Sequence, residues 1–352
     1  MLHIDGSEGE GGGQVLRTCL SLAALTGRPF QLRHIRANRS QPGLRPQHLT
    51  AVRAAAAICQ AETAGDFLNA DTLEFRPQVR AKGGRYTFDV THAASGGSAG
   101  AITLVFQTVL WPLLFAAGPC ELALRGGTHV PFSPSYHYLA EVFAPVVARL
   151  GASFTLALTG WGWYPAGGGE ITAVIHPTRQ LTTPNLNRPG NSRPQVRGVA
   201  AVTNLPADIA QRMANRAENL LRQAKLPGQV TAVRERGAGP GAGIVLWLPQ
   251  AGFTSLGRKG LPADKVAETA VAECLAFVDN GADVDKRLAD QLLLPLALAH
   301  GRSQFTTDQV TQHTLTNAAL LRRWLDVTIN IAGELNQPGV ITIDGIGYTP
   351  VL

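Results

Sequence analysis

The chain has 352 residues, 45% of them hydrophobic and 16% charged, with a formal net charge of +6 at pH 7. That length accommodates two domains with a sizeable core, and 38 glycines with 22 prolines point to many tight turns rather than a long disordered polar tract. The basic balance suits a polyanionic partner, and four cysteines without CxxC spacing exclude a zinc framework or a disulfide scaffold and read as buried thiols of a reducing, cytoplasmic compartment.

In chain order, Leu2 and Ile4 start a strand that runs into a glycine cluster, with no cationic and apolar leader pattern and so no signal peptide expected. Apolar spacing predicts a helix over 14–25, ended by Gly27, then a strand over 30–35 and a helix over 46–60. Short strands are predicted at 73–75 and 86–90. The longest apolar stretch, 101–117, is short for a membrane span and reads as part of a buried helix over 98–117. A strand at 121–124, a helix at 136–150 and a hairpin of 154–163 with 170–175 follow. A linker rich in proline and asparagine is predicted at 182–194. Beyond it come a strand at 196–203, a helix at 207–223, strands at 230–234 and 243–248, and a helix at 263–277. The last stretch reads as helix 284–299, strand 304–306, helix 311–325 and strands 327–331 and 340–343.

One unit of helix, strand, helix and flanking strands thus recurs near 1–80, 84–177 and 281–352. The predicted fold is α/β (α+β). Residues 1–181 form a large domain with repeats one and two, 182–278 a small inserted α/β domain, and 279–352 repeat three of the large domain.

The residues that carry chemistry cluster early. Asp5-Gly6-Ser7-Glu8-Gly9-Glu10-Gly11-Gly12-Gly13-Gln14 leads into Val15-Leu16-Arg17, and a second run spans Ile35 to His48 with Arg36 and Arg39. Glycines let backbone N–H groups approach a phosphate, and arginine forks neutralise phosphate oxygens. The combination describes a nucleotide-triphosphate or phosphate-ester site. Glu10, set between glycines, is a candidate ligand for Mg²⁺ or Mn²⁺, against the alternative of a solvated loop carboxylate. Gln14 and Arg17 share a helix face, where Arg17 contacts phosphate or lies on a surface stripe. Arg36 and Arg39 grip neighbouring phosphates or form a solvated basic loop. Asp290 and Gln291 sit on an otherwise apolar helix and face a cleft or solvent. His3, His34 and His176 fall in strand patterns and read as structural, and His300 falls at a helix end. His313, by itself, reads as a surface or satisfied core histidine. The glycine cluster lacks the GK[ST] of a P-loop, and no HExxH is present.

The order GEGGGQxLR, IRxxRxxPGLxxQHLTAV, YPAGGGE (Tyr164 to Glu170), LADQLLLPLALA (Leu288 to Ala299) and QHTLTNAA (Gln312 to Ala319) resembles the RNA 3′-terminal phosphate cyclase family from the first residues almost to the C-terminus. The resemblance implies the same architecture of three repeats with an insertion before the last. It implies that His313 is a covalent nucleophile toward ATP and that Glu10 holds the metal. It places Gln47 and the 126–131 turn, with Pro131, beside the nucleotide. The implied substrates are ATP and RNA 3′-phosphate ends, without a membrane partner; a homodimer is left as one option for the assembly. Two positions depart from the expected pattern, His129 in place of Asp or Asn and Arg287 in place of an aromatic. A non-catalytic cyclase-like protein of ribosome assembly is the alternative reading, and the presence of His313, Glu10, Arg17 and Arg39 argues against it. An enolpyruvyl transferase shares the lobe but needs neither the nucleotide nor the nucleophilic histidine.

Overall fold

A computed structural model describes residues 1–93, 98–188 and 194–350. The first lobe runs β1 (Leu2–Asp5), α1 (Gly13–Thr26), β2 (Phe30–Arg33), α2 (Pro46–Cys59), β3 (Glu62–Ala64) and β4 (Leu73–Arg76). Its sheet has the order β1-β2-β4-β3, with β1 parallel to β2 and the other pairs antiparallel. Gly27 adopts the left-handed conformation that ends α1, as its sequence position predicts. The predicted strand 30–35 stops early because His34 takes a positive φ of 53°, which breaks the pleat and turns its ring out to Asp5.

The second lobe runs β5 (Gly84–Asp89), a 3₁₀ turn (Val90–Ala93), α3 (Ile102–Leu114), β6 (Cys120–Gly126), α4 (Tyr136–Tyr138), a π turn (Leu139–Phe143), α5 (Ala144–Ala148), β7 (Ser153–Gly160) and β8 (Gly169–His176). Its order, β5-β6-β8-β7, repeats the parallel and antiparallel senses of the first sheet. The helix predicted over 136–150 contains the π turn because Pro145 has no N–H to continue the ordinary ladder. The helix predicted from 98 begins only at Ile102, because Ala101 is extended (ψ 109°) and makes a parallel bridge to Gly127, its N–H donating to Gln47 Oε1. Every residue of α3 except Gln107 is buried.

The next stretch runs β9 (Val196–Thr203), α6 (Ala207–Gln223), β10 (Gly228–Glu235), β11 (Gly241–Leu248), β12 (Ala251–Leu256) and α7 (Ala263–Asn280). Its order, β10-β9-β11-β12, differs from that of the lobes. The chain closes with α8 (Lys286–Leu298), β13 (His300–Thr307), α9 (Gln312–Trp324), β14 (Thr328–Ala332) and β15 (Gly339–Ile346). The last sheet, β13-β15-β14, matches the β2-β4-β3 part of the first, and Val284 makes a parallel bridge to Thr307 at its edge. His300 directly follows Ala299, the C-cap of α8, and opens β13. The strands β3 and β12 were not predicted. Of the predicted linker 182–194, residues 189–193 lie outside the described residues.

Two apolar cores result. One joins α1, α2, α3, α8 and α9 through Leu20, Val52, Val109, Leu292 and Leu321, all fully buried, and a second lies between α6, α7 and their own sheet around Met213, Leu246 and Val266. Truncating such a leucine to alanine typically costs about 2–5 kcal/mol. The two bodies meet at Asp285, which caps α8 through the N–H groups of Arg287 and Leu288 and also accepts from the Tyr138 hydroxyl (2.9 Å) and the Gly252 N–H (2.9 Å). All four cysteines are free and buried, and burial pushes each thiol up to about 12. Among the described residues no helix is long and apolar enough to cross a membrane.

Candidate active site

The glycine loop between β1 and α1 threads between α9 and the 36–39 loop. Gly9 and Gly11 both have positive φ (66° and 62°), and a Cβ on either would collide with Thr316 or Asn38. Only glycine satisfies both the backbone and the space. The Glu10 N–H donates to Thr316 Oγ1 at 3.1 Å, so the loop is tied to α9 directly beside His313. No side chain caps α1, whose first N–H groups stay available to an anion. A Cβ on Gly12 would lie 2.7 Å from Arg39 Nη2, and one on Gly13 would lie 3.1 Å from Arg17 Nη1. The two guanidinium groups therefore flank the open helix end.

Six predicted residues converge here. His313, at the start of α9 behind its Thr311 cap, places Nδ1 2.7 Å from Gln14 Oε1 and 2.7 Å from Glu10 Oε2. The directed hydrogen bond goes to Gln14; Glu10 Oε2 is at ion-pair distance but has no well-angled donor and is buried. Glu10 Oε1 pairs with Arg39. The Gln14 amide donates to Asp290 Oδ1, and Asn317 Nδ2 donates to the same oxygen at 3.2 Å. Arg17 is no surface arginine. Burial draws its guanidinium down to about 10, opposed by the charges of Asp290 and Glu10. Burial raises the carboxyl of Asp290, which is therefore no solvated helix face. Burial also acts to raise Glu10, but His313 at 2.7 Å, then Arg39, outweigh it and leave this carboxyl below its ordinary value.

The other four predicted residues have different neighbours. Arg36 Nη1 donates to the carbonyls of Gln41 (2.6 Å) and Gly43 (2.9 Å), inside its own loop. Gln47 Oε1 accepts from Ala101 N at 2.7 Å. Gln291 Oε1 accepts from Gln107 Nε2 at 2.7 Å. Pro131 is exposed on the turn after β6. Of the two departures, Arg287 pairs with Glu273 on α7 (3.3 Å), and His129 is buried in a stack with Trp161 and Trp163.

The sequence reading missed several members of the site. Asn317 is buried and links Asp290 to Thr18 Oγ1 (3.0 Å). Thr316 ties the glycine loop to α9. Asn317 and Thr316 stand in the QHTLTN segment, but nothing in their type distinguishes them from helix surface. His48 is buried beside Gly13 with Nδ1 unpartnered, and burial together with Arg17, Arg36, Arg45 and Arg39 pushes its imidazole well below its ordinary value. The charge-free ring therefore sits among four cations.

A sequence model described as RNA 3′-terminal phosphate cyclase matches residues 8–331. A protein named RNA 3′-terminal phosphate cyclase from Nostoc punctiforme is 52% identical over 341 residues, covering 95% of this chain and 98% of its own. One of the same name from Trichormus variabilis is 52% identical over 328 residues, covering 92% of this chain and 94% of its own. Among solved structures, the enolpyruvyl transferase NikO from Streptomyces tendae aligns with 99% of this chain and 49% of its own at 12% identity and a TM-score of 0.39, a likeness that carries no argument.

Proposed function

The chain belongs to the RNA 3′-terminal phosphate cyclase family, and on that premise we propose that this enzyme converts an RNA 3′-terminal phosphate to a 2′,3′-cyclic phosphate using ATP, with His313 as nucleophile. The observation that carries the reading is the pair of acceptors at His313 Nδ1. A carbonyl oxygen and a carboxylate can only accept, so the proton resides on Nδ1 and the lone pair on Nε2.

Nε2 attacks the α-phosphorus of ATP. A P–N bond forms, the P–O bond to pyrophosphate breaks, and AMP remains on the ring. The ring then carries positive charge while Nδ1 keeps its proton, and the Glu10 carboxylate at 2.7 Å opposes that charge. An oxygen of the RNA 3′-phosphate next attacks the AMP phosphorus, the P–N bond breaks, and the electron pair returns to Nε2. The vicinal 2′-hydroxyl finally attacks the 3′-phosphorus, losing its proton and expelling AMP. Arg17 and Arg39, at the open end of α1, stabilise the phosphate charge.

The donor set fits a Mg²⁺ or Mn²⁺ ion whose shell phosphates and water complete. The buried Glu10 Oε2 has no directed donor, and among the described residues no group of three His, Cys, Asp or Glu could cage an ion alone. Glu10 would hold it, and the ion, when bound, neutralises charge on phosphate oxygens. The roles of Arg36, Gln47, Pro131 and Gln291 as nucleotide contacts belong to the same proposal. So does the division at 1–181, 182–278 and 279–352, which the two separate apolar cores support. Buried free thiols support a cytoplasmic setting.

The test is incubation with α-labelled ATP and a divalent metal. Acid-labile label on the protein, absent in His313→Asn, is expected. Persistent label in a folded His313→Ala protein would overturn the assignment.

A further inference from the structure

Two loops outside the His313 cluster are zipped together. Ile35 N donates to Asp71 O (2.9 Å), Leu44 N to Ala70 O (3.0 Å) and Asn69 N to Leu44 O (2.8 Å). Gly43, with φ 77°, lies so close to the Asn69 carbonyl that no Cβ fits. Arg45 Nη1 donates to Asn69 Oδ1 at 2.8 Å. This contact fixes a short turn, in which Ala70 N donates to Phe67 O, and holds the Phe67 ring outward at 64% exposure with Leu68 at 38% beside it.

The charges of the two zipped loops are lopsided. Arg36, Arg39 and Arg45 line one, while the 65–72 turn offers only Asp66 and Asp71. Arg39 is taken by Glu10, but among the described residues Arg36 and Arg45 have carbonyl and amide oxygens as partners and no carboxylate. Burial, then Arg45 and Arg39, weaken the hold of Arg36 on its proton, the mark of cations crowded together without a counter-ion. Pairwise contacts and charge interactions link His313 to Glu10, Glu10 to Arg39, Arg39 to Arg36, Arg36 to Arg45, and Arg45 to Asn69 on the turn that carries Phe67. A cationic track ending in an exposed aromatic is how single-stranded nucleic acid is held without sequence preference.

We propose that Arg45 and Phe67 form a platform for the single-stranded RNA just upstream of its 3′-phosphate, Arg45 meeting a backbone phosphate and Phe67 stacking a base. This inference rests on the cyclase reading. The ring stands open to solvent, as a base that continues into a longer chain requires; an enclosed adenine would cover it. Loss of one stacked base corresponds to about a 5- to 150-fold change in affinity.

The experiment measures binding of a fluorescein-labelled, 3′-phosphorylated RNA octamer by anisotropy at several salt concentrations, beside RNA-free self-adenylation. Phe67→Ala weakens octamer binding by about 5- to 150-fold, leaves a 3′-phosphorylated mononucleotide competitor unaffected and self-adenylates at the wild-type rate. Phe67→Trp restores binding. Arg45→Gln lowers the log–log salt slope by about one. An octamer affinity of Phe67→Ala within twofold of wild type overturns the platform, and so does equal weakening toward the mononucleotide or ATP, which would put the ring on the reacting nucleotide. If the wild type takes no AMP while the binding pattern holds, the catalytic reading fails and the platform stands.

Discussion

Gln14 Oε1 accepts from His313 Nδ1 at 2.7 Å, while the same Gln14 amide donates to Asp290. One side chain on α1 thereby fixes both the tautomer and the ring orientation of an imidazole on α9. Gln14→Ala should therefore slow self-adenylation by about 10- to 100-fold, by analogy with the cost of losing the partner that orients a metal-bound histidine. Single-turnover kinetics with labelled ATP checks this. Gln14→Glu supplies an acceptor but no amide donor, and it should restore part of the rate while disturbing Asp290.

Glu10→Gln should depress adenylation and flatten the metal titration. It should also move acid stability in a defined direction. His313 and Arg39 hold the Glu10 carboxyl below its ordinary value against the opposing effect of burial. A carboxyl depressed in the folded state contributes stability above its unfolded pKa, and this is lost as pH falls through the folded one. The wild type should thus exceed Glu10→Gln in melting temperature at pH 7, with the gap closing below about pH 4.5. A constant gap down to pH 3 contradicts the ion pair.

His137 gives a signature of the same sign in a higher pH window. Burial pulls its imidazole down to about 4, and it hydrogen-bonds His129 Nε2 at 2.9 Å. As pH falls from 6.5 towards 4, the unfolded chain takes up a proton that the folded chain refuses, so stability is lost on acidification, by about 2–3 kcal/mol at pH 4.5. In His137→Phe that loss should shrink, with a pH slope shallower by about one proton. Urea denaturation at pH 7 and pH 4.5 reads it directly.

Gly241 on β11 lies against the Trp163 ring, and a Cβ there would fall inside the indole. Gly241→Ala should loosen the contact between the β9–β12 sheet and the second lobe and cost about 1–3 kcal/mol. A lower melting temperature with red-shifted tryptophan emission is expected, with self-adenylation by the remaining folded protein near the wild-type rate.

Much of the element order was legible without coordinates because it is local. Apolar spacing places α1, α2 and α6 within a residue or two of their observed ends, and Gly27 marks a helix stop that its missing Cβ makes cheap. The GEGGGQ and QHTLTN segments identify Glu10, Gln14 and His313 as chemistry by resemblance. The sequence could not say that residues about 300 positions apart meet at 2.7 Å, nor that the same Gln14 amide reaches Asp290. Three-residue β3 is too short for alternation to register, and the early end of β2 depends on a positive φ at His34 rather than on residue type. Arg36 and Arg39 look equivalent on paper, yet one folds back on its own loop and the other pairs with Glu10. Periodicity and glycine are properties of the backbone and a few neighbours, so the chain alone determines them. Which charge meets which partner depends on packing α1, α8 and α9 around one core, and only the tertiary structure decides that.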